Sequence, residues 1–296
     1  MIKNFIKEHE IEYYENISLK KYNTYKLNVI CDYLVFPNDL GTLIILLNFI
    51  KENNLKFMVL GNGSNVIFKN ERYDGIIIKL DRLNNITFSD TTVEVEAGYS
   101  LIKLAIECMK RSIGGFEFAS GIPGAIGASI AMNAGAYKSD MGSIVKEVKV
   151  INPNLEIVTM TNEELDFKYR SSFIKENSNY YIVSATLELE TGDSKEIEEL
   201  ISKRRVKRME TQPLDAPSAG SVFRNPEGMY AGELIENCGL KGYSIGDAMI
   251  SDKHANFIIN NGNATGKEIV ELIELIKEKV KQKYNVDLIL EQLIIE

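Results

Sequence analysis

Short apolar runs and alternating segments follow one another along the first two thirds of the chain. Residues 93–96 alternate valine with glutamate, which is typical of a half-buried strand. The same kind of pattern predicts strands over residues 56–60, 66–68, 75–80, 92–96, 145–151, 156–160 and 180–189. Helical spacing predicts helices over residues 40–50, after the N-cap pair Asn38-Asp39, and over residues 101–109, with Ser100 as the cap. Few helices among many strands indicate an α+β fold rather than strict βαβ alternation.

The last third of the chain reads as a smaller unit. The charged residues 194–210 predict a helix at the domain boundary, and residues 211–220 predict a loop because they are rich in Pro, Ser, Ala and Gly. We therefore predict domains over residues 1–203 and 204–296. A helix is predicted over residues 266–283, because Thr265 and Glu268 form a capping box before an apolar face. Residues 286–295 predict a final strand.

Composition narrows the class of protein. A net charge of −8 argues against a general nucleic-acid binder, which needs a basic footprint. No apolar stretch approaches the roughly 20 residues that span a bilayer, and the N-terminus lacks the apolar core of a signal peptide. The three cysteines are far apart and form no CxxC pair, so we expect a cytoplasmic protein without disulfides. Two distant histidines make a metal site unexpected.

A glycine-rich pentapeptide is the first candidate for chemistry. It lies between two apolar runs and consists of Gly61, Asn62, Gly63, Ser64 and Asn65. Glycines let a backbone approach an anion closely, and successive amides can bind phosphate. Taken alone, the pentapeptide favours the alternative, a β-hairpin, because Asn-Gly is a standard hairpin signal.

A second candidate is the run of small residues over 121–137. Its members of interest are Gly121, Ile122, Pro123, Gly124, Gly127, Asn133 and Gly135. The run is not GxGxxG, so the Rossmann fingerprint is absent. Proline fits the first turn of a helix, and a helix N-terminus offers amides to a pyrophosphate. Tight packing of a helix on a sheet is an equally supported alternative.

Three polar segments complete the candidates. Arg170 follows a tyrosine in a loop and can fork onto a carboxylate, although a lone arginine is more often a plain surface residue. Ser221 and Asn225 lie in a loop between Gly and Pro, for which simple turn chemistry is the alternative. His254, which follows Lys253, can donate a proton or contact phosphate, although a lone histidine is more often merely hydrogen-bonded structure.

Taken in order, these segments resemble the UDP-N-acetylenolpyruvoylglucosamine reductases. The matching stretches are residues 23–25, 60–66, 121–137, 169–172, 217–226, 239–242 and 251–260. They span nearly the whole chain, and their ordered set is highly specific although no single one is decisive. The length is that of the shorter class of the family, which lacks an insertion carrying a substrate-binding tyrosine.

The resemblance implies a fold and its cofactors. Residues 1–203 are expected to form a two-lobed FAD-binding domain of the p-cresol methylhydroxylase or vanillyl-alcohol oxidase type, which has no Rossmann motif. Residues 204–296 are expected to form a smaller α+β substrate domain, with the last strand, about 286–296, packing back on the FAD-binding domain. The two glycine-bearing segments would then hold the FAD pyrophosphate and surround the flavin, and NADPH would reduce it.

The resemblance also implies catalytic roles. The family arginine falls on Arg170, which would polarise the substrate carboxylate, and the family serine falls on Ser221, which would protonate C2 after hydride addition at C3. The family glutamate falls on Glu291, although the usual proline before it is absent, so its register rests on residues 284–288. Asn225, Lys253 and His254 are weaker candidates for contacts with the nucleotide-sugar.

Two other functions remain open at this point. One is a different FAD-dependent oxidase of the same superfamily, for which the segments over 219–221 and 239–260 have no reason to match. The other is a non-catalytic flavin or nucleotide-sugar binding protein, which the presence of Arg170, Ser221 and Glu291 disfavours. We expect a monomer that binds small molecules, with no nucleic acid and no membrane as partner.

Overall fold

The computed structural model describes residues 1–296. Its helices are α1 (Ile2–Glu8), α2 (Leu40–Glu52), α3 (Leu101–Lys110), α4 (Ile126–Ala131), α5 (Phe173–Glu176), α6 (Ser194–Thr211), α7 (Ala231–Asn237) and α8 (Gly266–Tyr284). Its strands are β1 (Glu12–Ser18), β2 (Ile30–Phe36), β3 (Phe57–Val59), β4 (Val66–Phe68), β5 (Arg72–Ile78), β6 (Ile86–Ser89), β7 (Thr92–Glu96), β8 (Ile113–Gly114), β9 (Gly135–Ala136), β10 (Ser139–Asp140), β11 (Val145–Ile151), β12 (Ile157–Thr161), β13 (Tyr181–Glu188), β14 (Glu190–Thr191), β15 (Ser244–Ile245), β16 (Ala248–Ile250), β17 (Ile258–Asn260) and β18 (Leu293–Ile295).

Helices and strands mix along the chain as an α+β fold, which confirms the predicted class. The larger sheets have the strand orders β1-β2-β5-β3, β12-β11-β13-β7-β6 and β15-β16-β17. The chain divides into two compact units. The first comprises Met1–Glu15, Tyr33–Gly61 and Gly75–Arg205, and the second comprises Asn16–Asp32, Asn62–Asp74 and Val206–Glu296. Residues 16–32 and 62–74 thus group with the last third of the chain, which the sequence did not predict.

The first unit is built on its five-stranded antiparallel sheet. Strand β7 buries Val93 and Val95 and turns its acidic residues outward, as the alternation predicted. Helix α3 begins after Ser100, whose hydroxyl accepts the Lys103 amide, and it buries Leu104 among the same core. The predicted helices and strands of this unit are therefore present, because each carries a one-sided apolar pattern that a sheet surface can cover.

The second unit packs helix α8 as the sequence predicted. The capping box of Thr265 and Glu268 is formed, and the helix ends at Asn285, which adopts the left-handed conformation that closes many helices. The apolar face is buried to within 1% exposure, and it consists of Ile269, Leu272, Ile273, Ile276 and Val280. The helix is thereby anchored, and it contacts the small sheet of β15 and β16.

Helix α6 confirms the predicted charged helix. Ile197 is its buried residue, and most of its other side chains are exposed. None of the helices combines the length and the apolar character needed to cross a membrane.

The strand predicted over residues 286–295 is much shorter in the structure. Only Leu293–Ile295 forms a ladder, which is parallel to β4. Upstream of it, Leu290 forms an isolated bridge with Phe223. Residues 289–292 are held instead by single backbone hydrogen bonds and by the side chain of Gln292. The apolar pattern over these residues is typical of a strand, but they add no strand to a sheet.

Candidate functional site

The loop of residues 61–65 joins two strands that belong to different sheets. Strand β3 pairs with β5, and strand β4 pairs with β18. Because the flanking strands do not pair with each other, the hairpin interpretation of this loop is wrong. The two glycines of the loop instead mark places where the backbone is closely packed.

Gly61 lies against helix α4 in the first unit. A β-carbon on Gly61 would stand 2.9 Å from that of Ala128, and one on Gly127 would stand 2.9 Å from that of Ala97. Neither glycine therefore admits a side chain without displacement of its neighbour. The structure brings the first glycine of the loop and the run of small residues together, and a shared dinucleotide site at this place stays a prediction.

The start of helix α4 donates several of its amides within the protein. Ile126 N donates to Tyr99 O at 2.9 Å, and Gly127 N donates to Ala97 O at 2.9 Å. These two amides bind protein carbonyls rather than an anion, so the tight-packing alternative describes them correctly. A role for Gly127 in cofactor binding stays a prediction, and it rests on the absence of a side chain.

Lys79 fixes the backbone of Gly61. Its side chain is only 4% exposed, its Nζ donates to Gly61 O, and it lies 3.1 Å from an Asp81 carboxylate oxygen. A charged donor held in a buried position gives this carbonyl a strong, directed partner. The lysine thereby sets the conformation with which the glycine-rich loop begins.

We expect Lys79→Met to weaken FAD binding about tenfold, equal to about 1.4 kcal/mol. The reason is that the Gly61 carbonyl loses a charge-assisted partner in a buried place. Titration of the apoprotein with FAD measures the change in Kd. Lys149→Met, at an exposed position of β11, is the matched control and should bind FAD normally. An unchanged Kd for the folded Lys79 variant would contradict this role.

Asn133 organises the short hairpin of β9 and β10. It is 3% exposed and has a left-handed φ of 43°. Its Nδ2 donates to Lys168 O at 2.9 Å and to an Asp140 carboxylate oxygen at 3.2 Å, and its Oδ1 accepts from Gly142 N at 2.8 Å. The side chain therefore joins this hairpin to the loop that carries Arg170, and a cofactor contact of Asn133 stays a prediction.

Arg170 lies at the tip of a tight turn over residues 168–171. Its φ is 58°, and Lys175 Nζ donates to its carbonyl at 2.9 Å. The guanidinium donates through Nη2 to Gly135 O at 2.8 Å and lies 5.2 Å from the centroid of the Tyr169 ring. A half-buried guanidinium that is held by a backbone carbonyl is already oriented before a ligand binds, which suits the binding of a carboxylate.

A second guanidinium, from Arg204 of helix α6, packs on the turn of the β9–β10 hairpin. Arg204 stacks at 4.4 Å from the centroid of the Tyr137 ring, and Tyr137 and Lys138 form the turn with φ values of 56° and 66°. The Nη1 of Arg204 is buried and has no hydrogen-bond partner within the protein. A buried, charged donor of this kind is suited to an anionic ligand.

Gly63 is locked in the second unit. Its φ is 63°, and a β-carbon there would stand 2.2 Å from Tyr22 O. Its carbonyl accepts from Thr24 N at 3.1 Å. Asn23 is 2% exposed and bonds to backbone groups of Leu19 and Leu27, so the facing segment is rigid. Only glycine satisfies this position.

The strand-like segment of Ser221 is held on one side by Asn256. Phe223 N donates to Asn256 Oδ1 at 2.9 Å, Asn256 Nδ2 donates to Phe223 O at 2.8 Å, and Val222 N donates to Asn256 O at 2.9 Å. Ser221 itself forms an isolated antiparallel bridge with Phe257 and is half-buried. The position of its backbone is thus set by residues more than thirty positions away.

Glu291 lies beside the same segment. Its amide donates to Val222 O at 2.8 Å, and its carbonyl accepts from Asn65 Nδ2 at 3.1 Å. The Asn65 carbonyl in turn accepts from Leu293 N at 2.9 Å. The structure therefore brings the end of the glycine-rich loop and the segments carrying Ser221 and Glu291 together within the second unit, whereas Arg170 belongs to the first.

Asn225 and Lys253 have structural partners. Asn225 Oδ1 accepts from Ala231 N at 3.1 Å and so caps helix α7. Lys253 Nζ donates to Met209 O. Contacts of these two residues with a nucleotide-sugar stay predictions.

His254 is packed as a neutral ring. Its Nδ1 accepts from Asn256 N at 3.2 Å, and its ring contacts Phe257 with centroids 4.8 Å apart. Burial lowers the pKa of His254 below its usual 6.5, and Lys241 lowers it further while Glu236 acts in the opposite direction. A neutral ring that accepts a backbone amide supports the structural alternative for this residue.

This pKa shift predicts a pH dependence of stability. In the unfolded chain His254 titrates near 6.5, so below that pH the unfolded state binds more protons than the folded state. Its contribution is therefore complete above pH 6.5 and is lost as the pH falls through the lower folded pKa. We expect His254→Asn, which keeps an acceptor, to reduce the slope of unfolding free energy against pH by up to about 1.4 kcal/mol per pH unit at pH values just below 6.5. Equal slopes in urea unfolding of both proteins would contradict the shift.

Several residues position parts of the candidate site although no sequence pattern predicted a role for them. They are Tyr25, Lys79, Arg204, Asn256 and Gln292. A polar residue inside an apolar run was the signal for Lys79 in residues 76–80 and for Gln292 in residues 288–295. Burial of such a side chain requires a partner, but the sequence does not say which.

Two family models match the chain. Residues 31–161 match an FAD binding domain. Residues 212–295 match the C-terminal domain of UDP-N-acetylenolpyruvoylglucosamine reductase. The first match includes the glycine-rich loop and helix α4, and the second includes the segments of Ser221 and Glu291.

Curated and solved relatives cover nearly the whole chain. It is 41% identical over 287 residues to UDP-N-acetylenolpyruvoylglucosamine reductase of Caldanaerobacter subterraneus subsp. tengcongensis, covering 97% of this chain and 94% of the relative. It is 40% identical over 288 residues to the protein of the same name from Clostridium botulinum, with the same coverage. The crystal structure of UDP-N-acetylenolpyruvylglucosamine reductase from Thermus caldophilus superimposes with a TM-score of 0.81 at 30% identity, over 97% of this chain and 99% of that one.

Proposed function

This chain belongs to the UDP-N-acetylenolpyruvoylglucosamine reductase family, and from that premise we propose that it reduces the enolpyruvyl ether of UDP-N-acetylglucosamine to UDP-N-acetylmuramate with NADPH. Membership makes it an FAD-dependent oxidoreductase of peptidoglycan precursor synthesis. The observation that carries the proposal is identity of 41% over 97% of the chain, which includes both the FAD-binding part and the C-terminal part. A different flavin oxidase would have no need of the second part.

The residues of the first unit suit FAD. Gly61 and Gly127 let helix α4 pack closely on its neighbours, which fixes the position of the run of small residues, and Arg204 offers a buried donor beside Tyr137. We propose that residues 61–65 and 121–127 hold the dinucleotide. When bound, FAD accepts electrons from NADPH and supplies a hydride to C3 of the enolpyruvyl group.

Arg170 is proposed to bind the carboxylate of the substrate. Hydride addition at C3 places negative charge on C2 and on this carboxylate, so a fixed guanidinium stabilises the transition state more than the ground state. The hydrogen bond to Gly135 O supports this role because it fixes one edge of the guanidinium and so sets the plane in which it can meet a carboxylate.

Ser221 is proposed to protonate C2, and Glu291 to support the developing charge. The Oγ–H bond of Ser221 breaks and a C2–H bond forms, which draws hydride addition at C3 to completion. A serine hydroxyl is a weak acid, but a carbanionic carbon is a strong base, so direct transfer is reasonable. The hydrogen bond between Glu291 N and Val222 O supports a joint role, because it holds the two segments side by side.

The spectrum of the purified protein tests this function. We expect a yellow protein that NADPH bleaches under anaerobic conditions and that the enolpyruvyl substrate then re-oxidises. UDP-N-acetylglucosamine, which lacks the double bond, is the matched control and should leave the protein bleached. A colourless protein that takes up no FAD would exclude the proposal. The monomeric state and the cytoplasmic location stay predictions.

A further inference from the structure

Gln292 lies directly after Glu291 and is 2% exposed. Its Nε2 stands 3.0 Å from Ala219 O, 3.2 Å from Gly220 O and 3.4 Å from Ser221 O. One amide nitrogen has two hydrogens to donate, so three carbonyls converge on a single donor group. The backbone that leads into Ser221 is therefore gathered around this side chain.

Tyr25 determines which way the amide of Gln292 points. It is completely buried, and its hydroxyl donates to Gln292 Oε1 at 3.0 Å. A reversed amide would set Oε1 against the three carbonyls, which repel it. Burial raises the pKa of Tyr25, so the hydroxyl keeps its proton and remains a donor. The Tyr25 carbonyl is itself anchored by Asn260 Nδ2 at 2.8 Å.

Gly220 explains why Ser221 needs such a partner. It adopts a φ of 75°, and no atom lies within 4 Å of where its β-carbon would be. Sterics therefore do not restrain the backbone immediately before Ser221. The bonds from Asn256 and Glu291 fix residues 222 and 223, whereas Gln292 holds the carbonyls of residues 219–221.

We propose that Tyr25 and Gln292 form a positioning pair that holds the backbone of Ser221 and so directs its hydroxyl at the carbon it protonates. The inference rests on the proposed function of Ser221. Displacement of a catalytic group by about 1 Å costs about 100-fold in rate. The pair contacts no reacting atom and acts only through Ser221.

Three variants test the pair. Gln292→Met keeps the length of the side chain without its amide, Tyr25→Phe removes only the hydroxyl, and the double variant replaces a polar pair with an apolar one. Thr265→Ala is the matched control, because it removes the cap of helix α8 in the same unit and destabilises the fold without touching residues 219–221. Melting temperatures place the four variants on one stability scale.

Rapid mixing separates the two half-reactions. We expect flavin re-oxidation by the enolpyruvyl substrate to slow by about 10- to 100-fold in each variant of the pair, with little change in KM. Reduction by NADPH should be unchanged, and the double variant should be no slower than Gln292→Met because both changes act through one amide. Hydrogen exchange over residues 218–223 should rise in the pair variants and not in Thr265→Ala.

The outcomes separate two kinds of failure. Normal re-oxidation in both single variants, or an equal slowing in Thr265→Ala at matched melting temperature, overturns the positioning role. If the unmodified protein is never re-oxidised by the substrate, the proposed function fails instead. Hydrogen exchange still tests the positioning role of the pair in that case, because it needs no substrate. Unchanged exchange over residues 218–223 in the pair variants would overturn that role.

Discussion

Replacing Ser221 with alanine is expected to slow turnover by about 100- to 10,000-fold, the range that a single proton-transfer group contributes. The variant should still be reduced by NADPH at the normal rate, because the hydroxyl takes part only in the half-reaction with the enolpyruvyl substrate. Folding should be preserved, since Ser221 is held through its backbone by Phe257 and Gln292 rather than through its hydroxyl.

Stopped-flow absorbance of the flavin measures the two half-reactions of this variant separately. Ser218→Ala, which changes another half-buried serine in the same loop, is the matched control and should retain both rates. If Ser221→Ala slows both half-reactions equally, the residue supports the site as a whole and is not the proton donor.

Gly63→Ala is expected to have the largest effect on folding and on FAD uptake. A left-handed conformation costs an ordinary residue about 1–2 kcal/mol, and overpacking typically adds about 1–3 kcal/mol. The clash is with backbone, because the new β-carbon would stand 2.2 Å from Tyr22 O and 2.8 Å from the α-carbon of Asn23. Asn23 is pinned by its own hydrogen bonds, so neither chain yields easily.

Urea unfolding should therefore show a loss of about 2–5 kcal/mol in this variant. Gly41→Ala is the matched control: its β-carbon would meet nothing nearer than 3.4 Å, and it lies in helix α2, where alanine is preferred. That variant should be as stable as the unmodified protein or more so. A Gly63→Ala protein of normal stability that takes up FAD would contradict the geometry described for the loop.

Local patterns predicted the regular elements well. The sequence of helix α8 contains every signal that defines it, from the capping box of Thr265 and Glu268 to a continuous apolar face. Strand β11 has the predicted bounds, Val145–Ile151. The strand predicted over residues 286–295 is mostly absent, because an extended apolar segment forms a strand only where a neighbouring strand edge is free along its length.

The resemblance to a family, rather than periodicity, singled out Arg170, Ser221 and Glu291. These residues are far apart in sequence, and no spacing rule groups them. Their individual roles stay predictions. What the structure adds is the means by which each residue is held. Gly135 O accepts from the Arg170 guanidinium, Asn256 and Gln292 bond to the segment of Ser221, and Val222 O accepts from the Glu291 amide.

The pattern of apolar and polar residues in the sequence determined the α+β class and the main helices, since these depend on neighbours within a few residues. Only the tertiary structure decided which distant carbonyl each buried polar side chain meets, as for Lys79 with Gly61 or Tyr25 with Gln292. The physical reason is that burying a polar group requires a partner but does not name it. That choice is made when separate segments pack together, and these are 18 residues apart for Lys79 and Gly61 and 267 for Tyr25 and Gln292.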